Sequence, residues 1–336
     1  MTTARRIPVA IVGGFLGSGK TSLLRRVLTG AADTAVIVNE FGEVGLDHQL
    51  LRACEERVEL LGGGCACCTR RADLVRTLRD LLDDRDRGRA ELRRVVIETS
   101  GLADPAPIAF TITSDPMVRH HFEVERLIVT VDACNGPAQL AAHPEVAKQA
   151  LLADELVITK VDLVEPEARD RLAAQLSELN PAATIRTAVY GVLEQEALRA
   201  SAGRAAPGAR PDGRAPPPPA RAGAGGHTDD VRTLCMDLDR PIDWLGFAVW
   251  LSMLLHARGE EVLRVKGLLE LEDGTLVSVN GVQHVMHTPE HLPRAAIADP
   301  RPGIVFITRG LDVHRLRDSL ETFQRLARAG AGVSGR

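Results

Sequence analysis

Gly14-Phe15-Leu16-Gly17-Ser18-Gly19-Lys20-Thr21 fits the pattern G-x-x-x-x-G-K-[ST], a loop that closes around phosphate. The pattern means little without its neighbours, and here both are present. Ile7 to Gly13 is a β-branched run suited to a buried strand, and Leu23, Leu24, Val27 and Leu28 form the apolar stripe of a helix. Glycine is needed because the backbone must approach phosphate oxygens closely, while amide N–H groups and the helix N-terminus supply fixed positive potential. In such a loop Lys20 bridges the β- and γ-phosphates and the Thr21 hydroxyl ligates Mg²⁺. A nucleoside triphosphatase or kinase fold is the expectation, built as an α/β domain around a mainly parallel sheet.

The surrounding sequence agrees. Thr34 to Asn39, Arg94 to Glu98, Leu127 to Asp132 and Leu156 to Thr159 are further apolar runs of strand length. Amphipathic stretches separate them: Arg70 to Arg87 carries Leu74, Val75, Leu78, Leu81 and Leu82 on one stripe, and Ala168 to Leu179 is similar. Buried strands alternating with helices imply parallel pairing. Between Ser201 and Gly226 the character changes, with 20 of 26 residues Gly, Pro or Ala and no large apolar group. Such a stretch cannot build a core and reads as a flexible linker. Beyond it, Val231 to Asp239, Glu261 to Leu271, Thr275 to Val285 and Gly303 to Thr308 read as strands, with helices over Ile242 to Ala257 and Leu311 to Ala327; the first helix carries Leu245, Ala248, Val249, Leu251, Ser252 and Leu255 to pack against a sheet. Glu272-Asp273-Gly274 supplies a hairpin turn. The expected organisation is a P-loop domain over residues 1–200, the linker 201–226, and a small α+β domain over residues 227–336.

Composition narrows the function classes. The 336 residues carry a formal net charge of −4, which argues against a nucleic-acid binder that relies on bulk positive charge. Aromatic residues are 3%, with one Tyr and two Trp, too few for base-stacking platforms. No apolar run has the roughly 18 residues of a membrane span. Arg5 and Arg6 before Ile7 to Gly17 imitate a secretory signal, but the stretch runs into Ser18-Gly19-Lys20-Thr21 with no A-x-A cleavage site. Six cysteines, three of them clustered and Cys54, Cys134 and Cys235 scattered, do not form a spaced disulfide framework. A reducing cytoplasm suits them.

Three further motifs carry chemistry. Val95-Val96-Ile97-Glu98-Thr99-Ser100-Gly101 is an apolar strand ending in an acid and a glycine: Glu98 would hold Mg²⁺ through water and the Gly101 amide would sense the γ-phosphate. Val157-Ile158-Thr159-Lys160-Val161-Asp162 places Lys-x-Asp after a strand, where an aspartate can accept from guanine N1 and N2. Adenine offers no such donor pair. Thr159 stands where the usual GTPase motif has Asn. Cys65, Cys67 and Cys68 lie within Gly62-Gly63-Gly64-Cys65-Ala66-Cys67-Cys68, and thiolates so spaced suit a soft tetrahedral ion such as Zn²⁺. Three thiols are fewer than a closed structural site needs, which points to exchangeable metal. His120-His121 and the pair His284 and His287 are weaker ligand candidates; the bland alternative is ordinary packing or surface histidine.

Together these motifs, with Asn39-Glu40-Phe41-Gly42-Glu43-Val44-Gly45-Leu46-Asp47 and Glu98-Thr99-Ser100-Gly101-Leu102-Ala103-Asp104-Pro105, resemble the CobW-type GTPases, relatives of the nickel-insertion GTPases of urease and hydrogenase. Leu263-Arg264-Val265-Lys266-Gly267 and Gly281-Val282-Gln283-His284 are similar to that family's C-terminal domain. The resemblance implies a GTP-hydrolysing metallochaperone for Zn²⁺, or Co²⁺ in some branches, that serves a client metalloprotein. By position it implies that Gly14, Gly17, Ser18, Gly19, Lys20, Thr21 and Ser22 bind phosphate and Mg²⁺, with Gly101 beside them. Thr159, Lys160 and Asp162 would take the guanine, and Glu98 would join the Mg²⁺ and water shell. Glu40, Glu43 and Asp47 would lie in a loop that responds to the γ-phosphate, and Cys65, Cys67 and Cys68 would hold the carried metal, with Glu43 as a fourth ligand. No histidine-rich tract accompanies the linker, and only His227 stands at its end. Two other classes fit parts of the pattern: a small-molecule kinase or ATPase with structural cysteines, and a redox-sensing GTPase in which Cys67 and Cys68 oxidise.

Overall fold

The computed structural model describes residues 6–28, 33–39, 58–60, 67–190, 192, 231–238, 240–293, 297 and 302–331. The chain divides into two compact units, each with its own sheet. In the first, β1 (Ile7–Gly14), α1 (Lys20–Leu28), β2 (Thr34–Asn39), β3 (Val58–Leu60), α2 (Cys67–Asp86) and β4 (Arg94–Thr99) are followed by α3 (Ala106–Ser114), α4 (Pro116–His121) and β5 (Phe122–Asp132). Then come α5 (Gly136–Ala142), α6 (Pro144–Leu152), β6 (Glu155–Thr159), a 3₁₀ turn at Val161–Leu163, α7 (Pro166–Leu179) and β7 (Thr184–Ala188).

The strands run in the order β3-β2-β4-β1-β5-β6-β7, and every neighbouring pair is parallel. Val9, Ile11 and Val12 of β1 are fully buried, as a strand covered on both faces requires. Leu23 and Leu24 of α1 pack with Ala10, Val12, Val36, Val38, Val96, Ile128 and Val157. Each such leucine contributes about 1.5–3 kcal/mol by leaving water, which seats the helix behind the phosphate loop. Strands β2 to β4 build one side of β1 and β5 to β7 the other, so the chain reverses its direction of growth at β1. Open parallel sheets bind ligands at such a switch point, outside the carboxyl ends of the strands.

Strand β5 begins at Phe122, five residues before the apolar run at Leu127 that signalled it. Its first half alternates buried Phe122 and Val124 with Glu123 and Glu125, and those acids meet Arg6 at 3.0 Å and Arg94 at 3.7 Å. Alternation with paired charge is a poorer sequence signal than a continuous apolar run.

The second unit contains β8 (Val231–Asp237), α8 (Trp244–Arg258), β9 (Val262–Glu270), β10 (Leu276–Val282), β11 (Val285–Met286), β12 (Glu290–Leu292), β13 (Gly303–Arg309) and α9 (Val313–Ala331). Its sheet runs β11-β10-β9-β13-β8, with β12 on β10, and its pairs are antiparallel. Two sequence expectations are corrected here. The strand read through to Val285 stops at Val282, because Gln283 adopts a left-handed φ of 52° and turns the chain into β11. The α8 face expected to pack, through Leu245, Ala248, Val249, Leu251, Ser252 and Leu255, is buried only in part: Leu251 and Leu255 lie in the core, but Leu245 is 73% and Val249 44% exposed. Phe247 and Trp250 join them there, with Trp250 edge-on to Phe306 and its Nε1 donating to Ser319 Oγ at 2.9 Å. The helix is apolar all round, so periodicity could not choose a face, and the larger aromatic area decided it.

Candidate functional site

Sheet register gathers the site. Gly14 lies opposite Thr130, Val12 opposite Glu98, and Asp132 opposite Thr159, all at the carboxyl edge of the parallel sheet. Gly14, Gly17 and Gly19 take φ of 137°, 71° and 89°, values that L side chains rarely adopt. A Cβ at Gly14 would sit 2.6 Å from the Thr130 carbonyl oxygen, so the loop can turn off β1 only with glycine there. Ser18 Oγ and Thr130 Oγ1 share a hydrogen bond of 2.7 Å. Lys20 is buried at the start of α1, and its Nζ donates to Gly14 O at 2.9 Å and Phe15 O at 3.1 Å. The ammonium is thus held inside the turn of its own loop. Ser22 follows in α1 and is exposed.

Beside the loop, Thr21 Oγ1 donates to Glu98 Oε1 at 2.8 Å. Glu98 is 2% exposed at the end of β4. A hydroxyl and a carboxylate in contact form a hard oxygen pair of the kind Mg²⁺ takes while keeping water and phosphate for the rest of its shell. Gly101 follows β4 and lies against the loop: a Cβ on it would come 2.7 Å from the Leu16 amide nitrogen. The turn at 100–103 is closed by Ala103 N donating to Ser100 O at 3.0 Å.

Thr159 ends β6, and its hydroxyl donates to Ser18 O at 2.7 Å, with Val131 O at 3.3 Å. The residue in the asparagine position therefore braces the phosphate loop. Lys160 is left-handed at φ 57° and opens the 3₁₀ turn that carries Asp162, which is exposed. Its Nζ meets Asp132 Oδ2 at 2.6 Å. Asp132 also accepts from Cys134 N at 2.8 Å, Asn135 N at 3.3 Å and Asn135 Nδ2 at 3.1 Å. Burial pushes the Asp132 carboxyl up, but the Lys160, Asn135 and backbone donors outweigh it and hold the group below the ordinary carboxylate value. The motif lysine is oriented by an aspartate that no motif named, 28 residues upstream.

The structure thus brings together Gly14, Gly17, Ser18, Gly19, Lys20, Thr21, Glu98 and Gly101, with Thr159 and Lys160 tied to them through the sheet. Glu40, Glu43, Asp47 and Cys65 lie outside the described residues. Cys67 and Cys68 open α2, and their side chains also lie outside the description. Among the described residues no group of three or more His, Cys, Asp and Glu is placed to hold a metal. The His120 and His121 rings pack edge to face against each other, and His287 Nδ1 sits 3.4 Å from Asn280 Nδ2. Sequence reasoning missed Asp132. Asp132 ends a strand at the same edge as Glu98, and that position was its only signal.

Two family models match this chain: the CobW/HypB/UreG nucleotide-binding domain over residues 8–187 and the cobalamin synthesis protein cobW C-terminal domain over residues 231–324. The chain belongs to the CobW/HypB/UreG family. Among its relatives, the zinc chaperone YjiA of Escherichia coli is 32% identical over 268 residues, covering 79% of this chain and 82% of YjiA. The zinc chaperone CobW of Pseudomonas aeruginosa is 35% identical over 216 residues, 54% of this chain and 56% of its own. A zinc-regulated GTPase metalloprotein activator of Schizosaccharomyces pombe is 33% identical over 57% of this chain and 48% of its own. The crystal structure of Zn(II)-bound YjiA GTPase from E. coli matches with a TM-score of 0.67 at 25% identity, covering 95% of this chain and 99% of that one. Family membership and geometry agree on a nucleotide-binding first unit. Among the described residues no helix is long and apolar enough to cross a membrane.

Proposed function

We propose that this protein is a cytoplasmic GTP-hydrolysing metallochaperone that carries Zn²⁺, or Co²⁺, to a client metalloprotein. The observation that carries the reading is the contact of Thr21 Oγ1 with Glu98 Oε1 beneath a loop whose three glycines hold positive φ. In this reading the loop cradles phosphate and the two oxygens serve Mg²⁺. Gly14, Gly17, Ser18, Gly19, Lys20 and Ser22 receive the phosphates, and Thr21, with Glu98 through water, holds Mg²⁺. When bound, the ion would neutralise phosphate charge. Lys20 adds a fixed positive charge at the bridging oxygens, and the Gly101 amide meets the third phosphate. Asp162 accepts from guanine N1 and N2, while Lys160, oriented by Asp132, flanks the base.

The carried metal belongs to Cys65, Cys67 and Cys68, with Glu43 completing the set, and Glu40 and Asp47 belong to the loop that answers the γ-phosphate. What supports this half of the reading is the three-thiol spacing and the zinc named for the relatives. If GTP orders these loops it raises metal affinity, and by linkage the metal raises GTP affinity by the same factor. Hydrolysis is then the release step. The test is competitive Zn²⁺ and Co²⁺ titration of the reduced protein with Mg²⁺ and GDP, a non-hydrolysable GTP analogue or an ATP analogue. Tight binding with the GTP analogue alone, lost in Cys67→Ser, is the expected result. Metal affinity indifferent to nucleotide would overturn it.

A further inference from the structure

Helix α6 reaches two loops of the phosphate site at once, through residues that belong to no motif. Gln149 is 1% exposed, and its Nε2 donates to Gly101 O at 3.1 Å and to Ala103 O at 2.9 Å. One residue earlier, Lys148 Nζ lies 2.7 Å from Asp104 Oδ2, while Asp104 Oδ1 accepts from Ala106 N at 2.9 Å. Just before the helix, the His143 ring stacks on Phe15 of the phosphate loop, with centroids 4.7 Å apart. Val146, Ala147, Ala150, Leu151 and Leu152 are buried as well, so the helix is anchored in the core.

The amide at 149 is half satisfied: Oε1 is buried with no hydrogen-bond partner among the described residues. A buried amide oxygen left unpaired costs free energy that an aliphatic side chain of the same size would not. The position is therefore spent on its two donors. The opposite amide orientation would set Oε1 against two carbonyl oxygens, so the donor assignment follows from the network. Both acceptors lie in the turn whose Gly101 backbone rests on Leu16.

We propose that Gln149 is a positioning residue for the γ-phosphate-sensing turn: it pins the Gly101 and Ala103 carbonyls to α6, so that the turn meets a third phosphate already ordered. Lys148, through Asp104, is the second tether from the same helix. GDP lacks the γ-phosphate and gains nothing from this order, so the effect is specific to the triphosphate. The proposal rests on the reading that the site binds GTP.

The test measures affinity for Mg²⁺ with GDP and with a non-hydrolysable GTP analogue, together with GTP hydrolysis, in wild type, Gln149→Leu, Gln149→Glu and Lys148→Met. Gln149→Leu is expected to bind GDP as wild type does and the GTP analogue about tenfold more weakly, with kcat falling in step. Gln149→Glu keeps a donor only while protonated, so its deficit relative to wild type should deepen from about pH 6 to about pH 8. Lys148→Met alters a partly exposed side chain and so folds regardless of the other variants; it should shift the GTP-to-GDP preference the same way by about threefold. GDP and GTP analogue weakened equally, or a preference unchanged in both Gln149→Leu and Lys148→Met, would overturn the proposal alone. A wild-type protein that binds no guanine nucleotide would overturn the GTP reading and this proposal with it.

Discussion

At the residue scale, two contacts fix charged groups beside the phosphate loop. Thr21 Oγ1 donates to Oε1 of a carboxylate buried at the end of β4, and in the proposed reading the same hydroxyl oxygen would ligate Mg²⁺. Thr21→Ala is expected to lower Mg²⁺-dependent GTP hydrolysis by about 100-fold, roughly 2.7 kcal/mol of barrier, with Thr21→Ser restoring it; phosphate release against Mg²⁺ concentration is the readout. Asp132 is the other. Its pKa is depressed in the folded protein, so its contribution to stability is complete above the unfolded-state value of about 3.9 and is lost as pH falls through the lower folded value. Lys160 is partly exposed, which limits the pair to about 1 kcal/mol. Asp132→Asn should therefore be less stable by about that much at neutral pH. The gap, followed by urea unfolding, should stay flat down to about pH 4 and close below it. A gap that widened on acidification would contradict this assignment. Neither Asp132 nor Gln149 was legible in the sequence, because their partners are 28 and 46–48 residues away and only pairing of distant strands and helices brings them near.

At the element scale, the loop between β1 and α1 shows that identical residues can face unequal constraints. Gly14 and Gly17 both hold positive φ, but a Cβ at Gly14 collides with Thr130 and Ser18 whereas one at Gly17 meets nothing within 4 Å. Gly17→Ala should cost only the left-handed backbone, about 1–2 kcal/mol, with nucleotide affinity reduced by about tenfold or less. Gly14→Ala must displace the loop from β5 and should abolish measurable binding while the far-ultraviolet dichroism stays near wild type. Equal losses in the two variants would show that φ alone, and not the approach to Thr130, sets the requirement. The motif G-x-x-x-x-G-K-[ST] was readable because its residues are consecutive. Which glycine is crowded was not, since the crowding comes from β5.

At the scale of the whole molecule, the chain builds two sheets with separate hydrophobic clusters, one under α1 and one joining α8, α9 and the antiparallel strands. A ligand that binds only the folded first unit stabilises that unit by mass action, by about 2.7 kcal/mol at a hundredfold excess over Kd. Scanning calorimetry with Mg²⁺ and GDP is thus expected to move the transition of the first unit up by several degrees and leave that of the second in place; a single transition that moves as one would mean that the two cores unfold together. The sequence by itself determined the phosphate loop, the parallel α/β class and the change of composition after residue 200, because each is written in short-range pattern: consecutive motif residues, strand-length apolar runs, and a stretch with nothing to bury. It also carried the family, through ordered motifs along the chain. Tertiary structure alone decided which face of the uniformly apolar α8 is buried, that Asp132 orients Lys160, that Thr159 braces Ser18, and that α6 holds the Gly101 turn. These are contacts between segments far apart in sequence, and their energies exist only once the sheet has set the register that places them within hydrogen-bond reach.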